Sequence, residues 1–366
     1  MKTYGIDPQN SWGTATDEIR YAWNSASCNR VIAEEGFSLK DPPTGGRKRV
    51  IVLMWNLIWG WLPYLQPDFV KKARETCSTE CVFTDDKSLL TVADGVLFHA
   101  ATHNRVFPRK KPKGTKYVFL SLESPTYPTI QPLLDDDEYM ARFDIEMTYE
   151  RGSDLPLGYV SSSPTSRYFH SKKTTFEEKD GFGDPDAIAM FVSNCDSMAE
   201  PRLEYIKELM RHAPVHSYGT CVHNRCVAIL SSTASHPSSL SNKVEILGHY
   251  KFYLSFENTN QITDYVTEKV YNAFEGGILP VYWGAKNVDD FVPRGSVVKT
   301  SDFNTAKALA NYLLTLSKDE DAYEEYFKWR DDPAEEERFG NEVISRSAHG
   351  VNAMCRLCEH LLEERS

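Results

Sequence analysis

The chain has 366 residues, a length typical of two domains. Hydrophobic residues make up 41% and aromatic residues 12% of it, which is enough for buried cores and excludes disorder of the whole chain. The formal net charge of -11 disfavours a nucleic-acid-binding protein, because such proteins usually carry a basic excess.

The N-terminal region, residues 1–48, is polar and rich in turn-forming residues, and we expect an extension there. The apolar run at 50–65 has about 16 residues, whereas a membrane-spanning helix needs about 20. Gly60 and Pro63 also interrupt the run, so it predicts a buried strand followed by a loop. No secretory signal is visible in the first residues, and any membrane anchor would lie outside this chain.

Strands alternate with helices through two further regions, 49–165 and 166–330, and a charged, mostly helical tail occupies 331–366. Predicted strands lie at 50–57, 116–123, 143–149, 188–193, 215–219, 251–257 and 278–283, and the longer predicted helices lie at 201–212, 264–275 and 301–316. This alternation predicts two doubly wound α/β domains. Such sheets bind ligands at the carboxyl ends of their strands, and two facing domains would form a cleft.

Six of the eight cysteines form three close pairs in the sequence. These pairs are Cys77 with Cys81, Cys221 with Cys226, and Cys355 with Cys358. In an oxidising compartment we expect each of these pairs to form a local disulfide, Cys77/Cys81 and Cys355/Cys358 above all. Free thiols and zinc are alternatives, because His223 and His360 add zinc-ligand types at spacings that match no strong zinc motif.

Residues 250–285 hold the densest set of candidate functional groups. Asn258 follows a predicted strand, and Tyr265, Glu268 and Lys269 lie in the first turns of the predicted helix 264–275. The N-terminus of a helix offers free N–H groups and a positive potential, which suit a phosphate group. The alternative is a capped surface helix with a glutamate–lysine pair.

This segment resembles the signature of the α-1,3-fucosyltransferases in its stretches YKFYLSFEN, DYVTEK and PVYWG. Further stretches resemble the same family in the same order, and they cover about residues 50–330. They are Cys81–Leu90, Glu123-Ser124-Pro125, Met147-Thr148-Tyr149 with Arg151, and Val192–Cys195 with Arg202. The chain departs from the family at Lys87 and Glu150, where arginine is usual.

The resemblance implies a GT-B-type α/β glycosyltransferase with two Rossmann-like domains facing a cleft. It implies inverting transfer of L-fucose from GDP-β-L-fucose to GlcNAc in α-1,3 linkage, in the Golgi lumen. The clustered acids of the sequence are more typical of solvated loops than of a metal site. Because a cationic clamp can balance the charge of the pyrophosphate, we expect no required cofactor and at most mild stimulation by Mn²⁺ or Mg²⁺.

The resemblance also assigns roles to residues. Glu123 is the predicted catalytic base, since it ends a strand and Pro125 turns the chain directly after it. Arg202 and Lys269 are the predicted pyrophosphate clamp. The remaining predicted contacts are Asn258, Tyr265 and Glu268 with phosphate, ribose or fucose, Tyr218 and Gly219 near guanine, and Tyr149 and Arg151 in the cleft or with the acceptor.

The ending SAHGVNAMCRLCEHL at 347–361 is most similar to enzymes that fucosylate the innermost GlcNAc of N-glycans. Lewis-type transfer to N-acetyllactosamine is the alternative acceptor reaction. A non-catalytic relative that binds a nucleotide sugar or a glycan, and a transferase for another nucleotide sugar, are further alternatives.

Overall fold

The computed structural model describes residues 48–161, 166–171, 174–195, 200–226, 240–260 and 262–365, so nearly all of the predicted extension 1–48 lies outside the described residues. The chain divides into two compact units. The first unit contains 48–161, Thr263–Tyr265 and 340–365, and the second contains the described residues from 166 to 262 and Val266–Phe339. Among the described residues, the boundary between the two units in this part of the chain falls between Ser161 and Ser166.

The first unit is built on a five-stranded parallel sheet with the strand order β2-β1-β3-β4-β5. Its strands are β1 (Arg49–Met54), β2 (Glu80–Thr84), β3 (Gly95–His99), β4 (Lys116–Ser121) and β5 (Ile145–Thr148). The strands are almost continuously apolar because both faces of the sheet are covered. In this order β2 is added on one side of β1 and β3 on the other, so the topological switch point lies between β1 and β3.

The second unit repeats the same topology in the order β7-β6-β8-β9-β10, again with parallel pairing. Its strands are β6 (Ile188–Met190), β7 (Val215–Ser217), β8 (Phe252–Phe256), β9 (Leu279–Trp283) and β10 (Val298–Lys299). The switch point of this sheet lies between β6 and β8. The two sheets confirm the predicted pair of doubly wound α/β domains.

Helices cover the sheets on both faces. The α-helices are α1 (Pro67–Thr76), α2 (Gln131–Leu134), α3 (Asp137–Met140), α4 (Ser166–Phe169), α5 (Glu200–Leu209), α6 (Leu240–Leu247), α7 (Glu268–Gly276), α8 (Ala306–Leu316), α9 (Glu320–Glu324), α10 (Pro333–Phe339), α11 (Ser345–Ser347) and α12 (Val351–Glu363). Short 3₁₀ helices occupy Pro63–Leu65, Lys87–Thr91, Ala100–Thr102, Val288–Asp290, Thr300–Asp302 and Glu325–Asp331, and Gly340–Ile344 is a π-helix. Within the described residues, none of the helices combines the length and the apolar character needed to cross a bilayer.

The predicted C-terminal tail, 331–366, is not a separate element. Residues up to Phe339 belong to the second unit, and 340–365 return to the first. There, α12 places Met354, Leu357 and Leu361 in the same buried cluster as strand residues of the first sheet. An amphipathic helix of this kind has to cover its apolar face, and one face of that sheet supplies the partner surface.

The disulfide pairing differs from the predicted local pairs. The structure joins Cys77 to Cys355 with a Cα–Cα distance of 5.0 Å and Cys81 to Cys358 with 6.0 Å. Cys355 and Cys358 lie three residues apart on α12, so both side chains point to the same side of the helix. Their partners lie on that side: Cys77 directly follows α1, and Cys81 lies in β2. Cys355 and Cys358 thus form disulfides, and they do not form the zinc site that the sequence left as an alternative.

A third disulfide, in the second unit, joins Cys195 to Cys221 with a Cα–Cα distance of 5.6 Å. The predicted partner of Cys221 was Cys226, which instead is exposed and has a free thiol. Cys195 and Cys221 lie in the loops that follow β6 and β7, and Cys221 donates its backbone N–H to the carbonyl of Val192 at 3.0 Å. Because β6 and β7 are neighbouring parallel strands, the loops that follow them lie side by side. The spacing of cysteines in the sequence does not reveal this proximity.

We expect replacement of Cys355 and Cys358 by alanine to lower the free energy of unfolding by about 2–5 kcal/mol for each lost disulfide. The two bridges tie α12 to a part of the chain more than 270 residues away. The measurement is urea unfolding of the double variant, with Cys226→Ala as the matched control at a free thiol. Peptide mapping without reductant should recover Cys77 linked to Cys355, and a Cys77–Cys81 peptide would contradict the pairing.

Candidate functional site

Arg202 holds together the two loops at the switch point of the second unit. It lies on α5 and is 1% exposed. Its Nη2 donates to the carbonyl of Asn194, after β6, at 2.8 Å. Its Nη1 donates to the carbonyls of Phe256 and Glu257 and to Oδ1 of Asn258, which follow β8, at 3.2, 3.1 and 2.9 Å. A buried guanidinium therefore lies under the crevice where such sheets bind ligands.

Lys269 lies in the first turn of α7, beside the end of β8. Its Nζ is 3.1 Å from Oε2 of Glu257 and donates to the hydroxyl of Thr267 at 2.8 Å. The Glu257 carboxylate is fully buried and also accepts the backbone N–H and the hydroxyl of Thr267, at 2.7 and 2.6 Å. This carboxylate positions the lysine and caps the helix at the same time.

The same contacts explain why α7 starts later than the sequence predicts. The predicted helix begins at residue 264, but the structure begins it at Glu268, with Thr267 as the N-cap residue. Glu257 captures the Thr267 N–H, and Asp264 has a left-handed backbone with φ of 66°. Because of both features, the residues before Thr267 are not helical, and the first helical turn begins only at Glu268.

The side chains at the start of α7 offer a ligand both a protonated amine and a carboxylate oxygen. Burial lowers the pKa of Lys269, but the carboxylates of Glu257 and Glu268 together raise it by more. The pKa of Lys269 therefore lies above the usual value, and the amine stays protonated. Burial raises the pKa of Glu268, while Lys269 and Lys243 lower it to a net value below the usual one. Oε2 of Glu268 is buried and has no hydrogen-bond partner among the described residues, so it can accept a ligand hydroxyl.

Lys243 is a further cation in this region, and it was not predicted from the sequence. It lies on α6, with Nζ 5.2 Å from the ring centroid of Tyr253 and 5.7 Å from that of Phe191. Burial lowers its pKa to about 8, although the nearby Glu268 carboxylate opposes the shift. No motif surrounds Lys243 in the sequence, since its neighbours in space come from β8, α7 and the loop after β6.

The depressed pKa of Lys243 predicts a pH-dependent cost of folding. Below pH 8 the folded and unfolded chains both carry the charge, so the cost is fully present. Between pH 8 and 10.5 the folded chain releases the proton first, and the cost decreases. We expect Lys243→Met to stabilise the protein by roughly 1–3 kcal/mol at pH 7 and by little at pH 10. Urea unfolding across this range, with the half-exposed Lys207→Met as control, measures the effect; an equal gain at every pH would contradict it.

Tyr218 and Gly219 follow β7 and lie beside the loop after β6. The Tyr218 ring stacks on Phe191 with centroids 5.0 Å apart, and its hydroxyl is 2.6 Å from that of Tyr250. A Cβ atom on Gly219 would collide with the main chain of Val192, so only glycine allows this approach. The loops after β6, β7 and β8 thus meet at the carboxyl ends of the strands. A nucleotide site built from the predicted residues requires this arrangement.

Glu123 lies in the first unit, two residues beyond the end of β4 at Ser121, whereas the sequence predicts a strand that continues to Glu123. It is 8% exposed. The following chain turns at Ser124, whose carbonyl accepts the N–H of Tyr127 at 2.8 Å. The carboxylate is therefore at the carboxyl edge of the first sheet, where a ligand of this unit is expected.

Tyr265 belongs to a different unit from its sequence neighbour Lys269. The structure assigns Thr263–Tyr265 to the first unit, and Tyr265 is 2% exposed there. Its ring packs edge-on against Tyr149, with centroids 5.1 Å apart. Asp264 accepts the backbone N–H and Nε of Arg151 at 3.0 and 3.2 Å. Aromatic packing and this ion pair hold the segment in the first unit, and the ligand contacts of Tyr265 and Tyr149 stay predictions.

The predicted residues thus fall into groups. Arg202, Asn258, Glu268 and Lys269 surround the end of β8, and Tyr218 and Gly219 lie at the neighbouring strands of the second unit. Glu123, Tyr149, Arg151 and Tyr265 belong to the first unit. In the described part of the chain there is no group of three or more histidine, cysteine or acidic side chains that could hold a metal ion.

Two family models match the sequence. "Glycosyltransferase family 10 (fucosyltransferase) C-term" matches residues 184–366, and "Fucosyltransferase, N-terminal" matches residues 47–160. Together they cover the two units described above.

Known proteins are similar over most of the chain. A 3-galactosyl-N-acetylglucosaminide 4-alpha-L-fucosyltransferase of Bos taurus is 32% identical, over 84% of this chain and 77% of that protein. The alpha-(1,3)-fucosyltransferase B of Drosophila melanogaster is 29% identical, over 77% of this chain and 67% of that protein. A crystal structure of an alpha1,3-fucosyltransferase with GDP-fucose shares the fold, with a TM-score of 0.51 and 19% identity, over 90% of this chain and 93% of that one.

Proposed function

Since the chain belongs to glycosyltransferase family 10, the fucosyltransferases, we propose that it transfers L-fucose from GDP-β-L-fucose to GlcNAc in α-1,3 linkage with inversion at fucose C1. The cationic arrangement of Lys269 and Arg202 at the end of β8 carries this proposal. The alpha-(1,3)-fucosyltransferase similar to this chain, and the GDP-fucose of one solved structure with this fold, support the linkage and the donor.

In this proposal the second unit holds the donor. The bond between fucose C1 and the pyrophosphate oxygen breaks, and negative charge grows on the phosphate that leaves. Lys269 is protonated and pre-positioned by Glu257, so its charge opposes that growth without rearrangement. Arg202 adds a second fixed charge. Asn258, which accepts a hydrogen bond from Arg202, contacts the phosphate, ribose or fucose of the donor. Oε2 of Glu268 accepts a sugar hydroxyl. Tyr218 and Gly219 border the guanine. No metal is required for the charge balance.

The first unit supplies the base. The acceptor hydroxyl attacks fucose C1 from the side opposite GDP, which inverts the anomeric centre, and its proton passes to the Glu123 carboxylate. Burial of Glu123 to 8% exposure keeps the carboxylate weakly hydrated and available for this proton. Arg151, which is half-exposed and held by Asp264, is the proposed contact to the acceptor.

For the acceptor we propose the innermost GlcNAc of an N-glycan, which the C-terminal sequence around Cys355 and Cys358 supports. N-acetyllactosamine is the second candidate, because proteins similar to this chain include galactosyl-N-acetylglucosaminide fucosyltransferases. Three disulfides in the described residues support an oxidising compartment such as the Golgi lumen.

The test offers GDP-fucose together with a trimmed N-glycopeptide or with N-acetyllactosamine, with and without EDTA, and maps the linkage of each product. Fucose α-1,3-linked to the innermost GlcNAc supports the first acceptor, and fucose on the antennal GlcNAc supports the second. A thermal shift with GDP but not with UDP is expected. The absence of transfer to either acceptor would contradict the proposed function.

A further inference from the structure

An exposed apolar patch lies on the first unit, at the loop after β1. Of the seven large hydrophobic side chains that are most exposed among the described residues, Leu57, Trp59, Trp61 and Val106 lie in this patch. Trp59 is 40% and Trp61 52% exposed. Indole rings of this size are normally buried, and a cluster of exposed apolar side chains rimmed by polar groups is typical of a binding site.

The backbone holds Trp59 in an unfavourable conformation. Ile58 and Trp61 exchange backbone hydrogen bonds at 2.9 and 3.1 Å, which closes a two-residue hairpin. Its central residues, Trp59 and Gly60, have φ of 49° and 90°, as in a type I′ turn. Asparagine or aspartate usually precedes glycine in this turn, and a bulky residue at positive φ is strained. Such strain tends to be retained where the side chain has a function.

A cavity of about 330 Å³ lies beside the hairpin, at the switch point of the first sheet. Its walls come from the loops after β1, β2 and β3 and include Trp55, Leu57, Lys87, Thr102, Asn104 and Val106. Asn56 fixes two of these loops, because its side chain accepts the backbone N–H of His99 and donates to its carbonyl at 3.1 and 3.0 Å. The cavity is therefore built on a rigid frame.

The hairpin is adjacent to the loop that carries Glu123. The Trp59 ring packs edge-on against Tyr127, with centroids 6.3 Å apart, and against His99 at 5.5 Å. Tyr127 follows Glu123 by four residues and is bonded to Ser124. A molecule that presents a hydroxyl to Glu123 can therefore extend across the indoles.

The chemistry of the patch favours a saccharide. The C–H face of a pyranose ring packs on an indole, while its hydroxyls need donors and acceptors such as Asn104, Thr102 and Lys87 nearby. The net charge of -11 disfavours an anionic membrane surface as the occupant. Lys87 covers the Trp55 ring at 4.4 Å, so the open aromatic faces are those of Trp59 and Trp61.

We propose that Trp59, Trp61 and the adjacent cavity form a saccharide-binding subsite, which takes a pyranose ring of the acceptor oligosaccharide other than the ring that reacts. The inference rests on the proposed function, since it names where that acceptor binds. It assigns the specificity for long acceptors to the first unit.

The test compares Trp59→Ala and Trp61→Ala with Phe182→Ala, an aromatic residue of the second unit with φ of 58° and 42% exposure. We measure KM and kcat with the accepted oligosaccharide and with methyl β-GlcNAc. Each tryptophan variant should raise KM for the oligosaccharide about tenfold or more, with kcat, KM for methyl β-GlcNAc and GDP affinity unchanged. Phe182→Ala should change none of them. An unchanged oligosaccharide KM in both tryptophan variants would overturn the proposal.

A binding titration separates this inference from the proposed function. Tryptophan fluorescence of the wild-type protein is followed while the trimmed N-glycopeptide or N-acetyllactosamine is added without donor. A saturable change that is lost in Trp59→Ala or Trp61→Ala supports the subsite, even if the wild type transfers no fucose. Transfer by the wild type, with binding that neither substitution alters, would reject the subsite and leave the proposed function intact. Because both indoles are exposed, at least one variant should retain the wild-type melting temperature.

Discussion

Replacing Glu123 with glutamine should lower fucosyl turnover by about 10²–10⁴-fold, the range that general-base catalysis contributes. Glutamine keeps the shape of the side chain but cannot accept the proton of the acceptor hydroxyl. The affinity for GDP should stay the same, because the proposed GDP contacts belong to the second unit. The measurement is turnover and GDP affinity in the same variant.

Glu146→Gln is the matched control for this prediction. Glu146 lies within β5 of the same sheet, but it is exposed and in mid-strand rather than at the carboxyl edge. Its substitution should leave turnover within a few-fold of wild type. If Glu123→Gln kept nearly full turnover, another group would be the base. If it lost GDP affinity as well, Glu123 would have a structural role.

Replacing Lys269 with alanine should reduce the use of GDP-fucose by roughly tenfold to a hundredfold, because a charge-assisted contact to the pyrophosphate is worth about 1.5–3 kcal/mol. The same change should destabilise the protein, since it leaves the fully buried Glu257 carboxylate without its cation. The two effects have to be separated, so kcat/KM for GDP-fucose and the free energy of unfolding are both measured.

The double variant Glu257→Gln with Lys269→Met separates them. It removes both charges of the buried pair, so stability should largely return, while the loss of donor use remains. Lys318→Ala, at a lysine that is 69% exposed, is the control and should alter neither quantity. Recovery of donor use together with stability in the double variant would show that Lys269 serves only the fold.

Much of the architecture was predictable from the sequence, for reasons of local chemistry. Apolar and aromatic runs such as KYVFLS and FYLSF mark strands that are buried on both faces, and these became β4 and β8. The family, the α/β class and the two sheets are confirmed. Glu123 and Lys269 were singled out as candidate site residues because each lies next to such a strand, in a motif that the family shares, and their roles stay predictions.

Other features depend on contacts between residues that are far apart in the sequence. The partners of Cys355 and Cys358 lie more than 270 residues away and became neighbours only when α12 packed on the first sheet. The sequence therefore favoured the shorter pairs. Tyr265 was grouped with its sequence neighbours Glu268 and Lys269, but its ring packs with Tyr149.

The sequence by itself determined the fold class, the family and the residues at the strand ends, because these follow from local patterning and motif. Tertiary structure alone decided which cysteines pair, where α7 begins, that Lys243 joins the charges around Glu268, and that Trp59 stands beside the Glu123 loop. Burial, disulfide geometry and the environment of a charge arise from packing between distant segments. Composition and spacing carry no information about which of those segments meet.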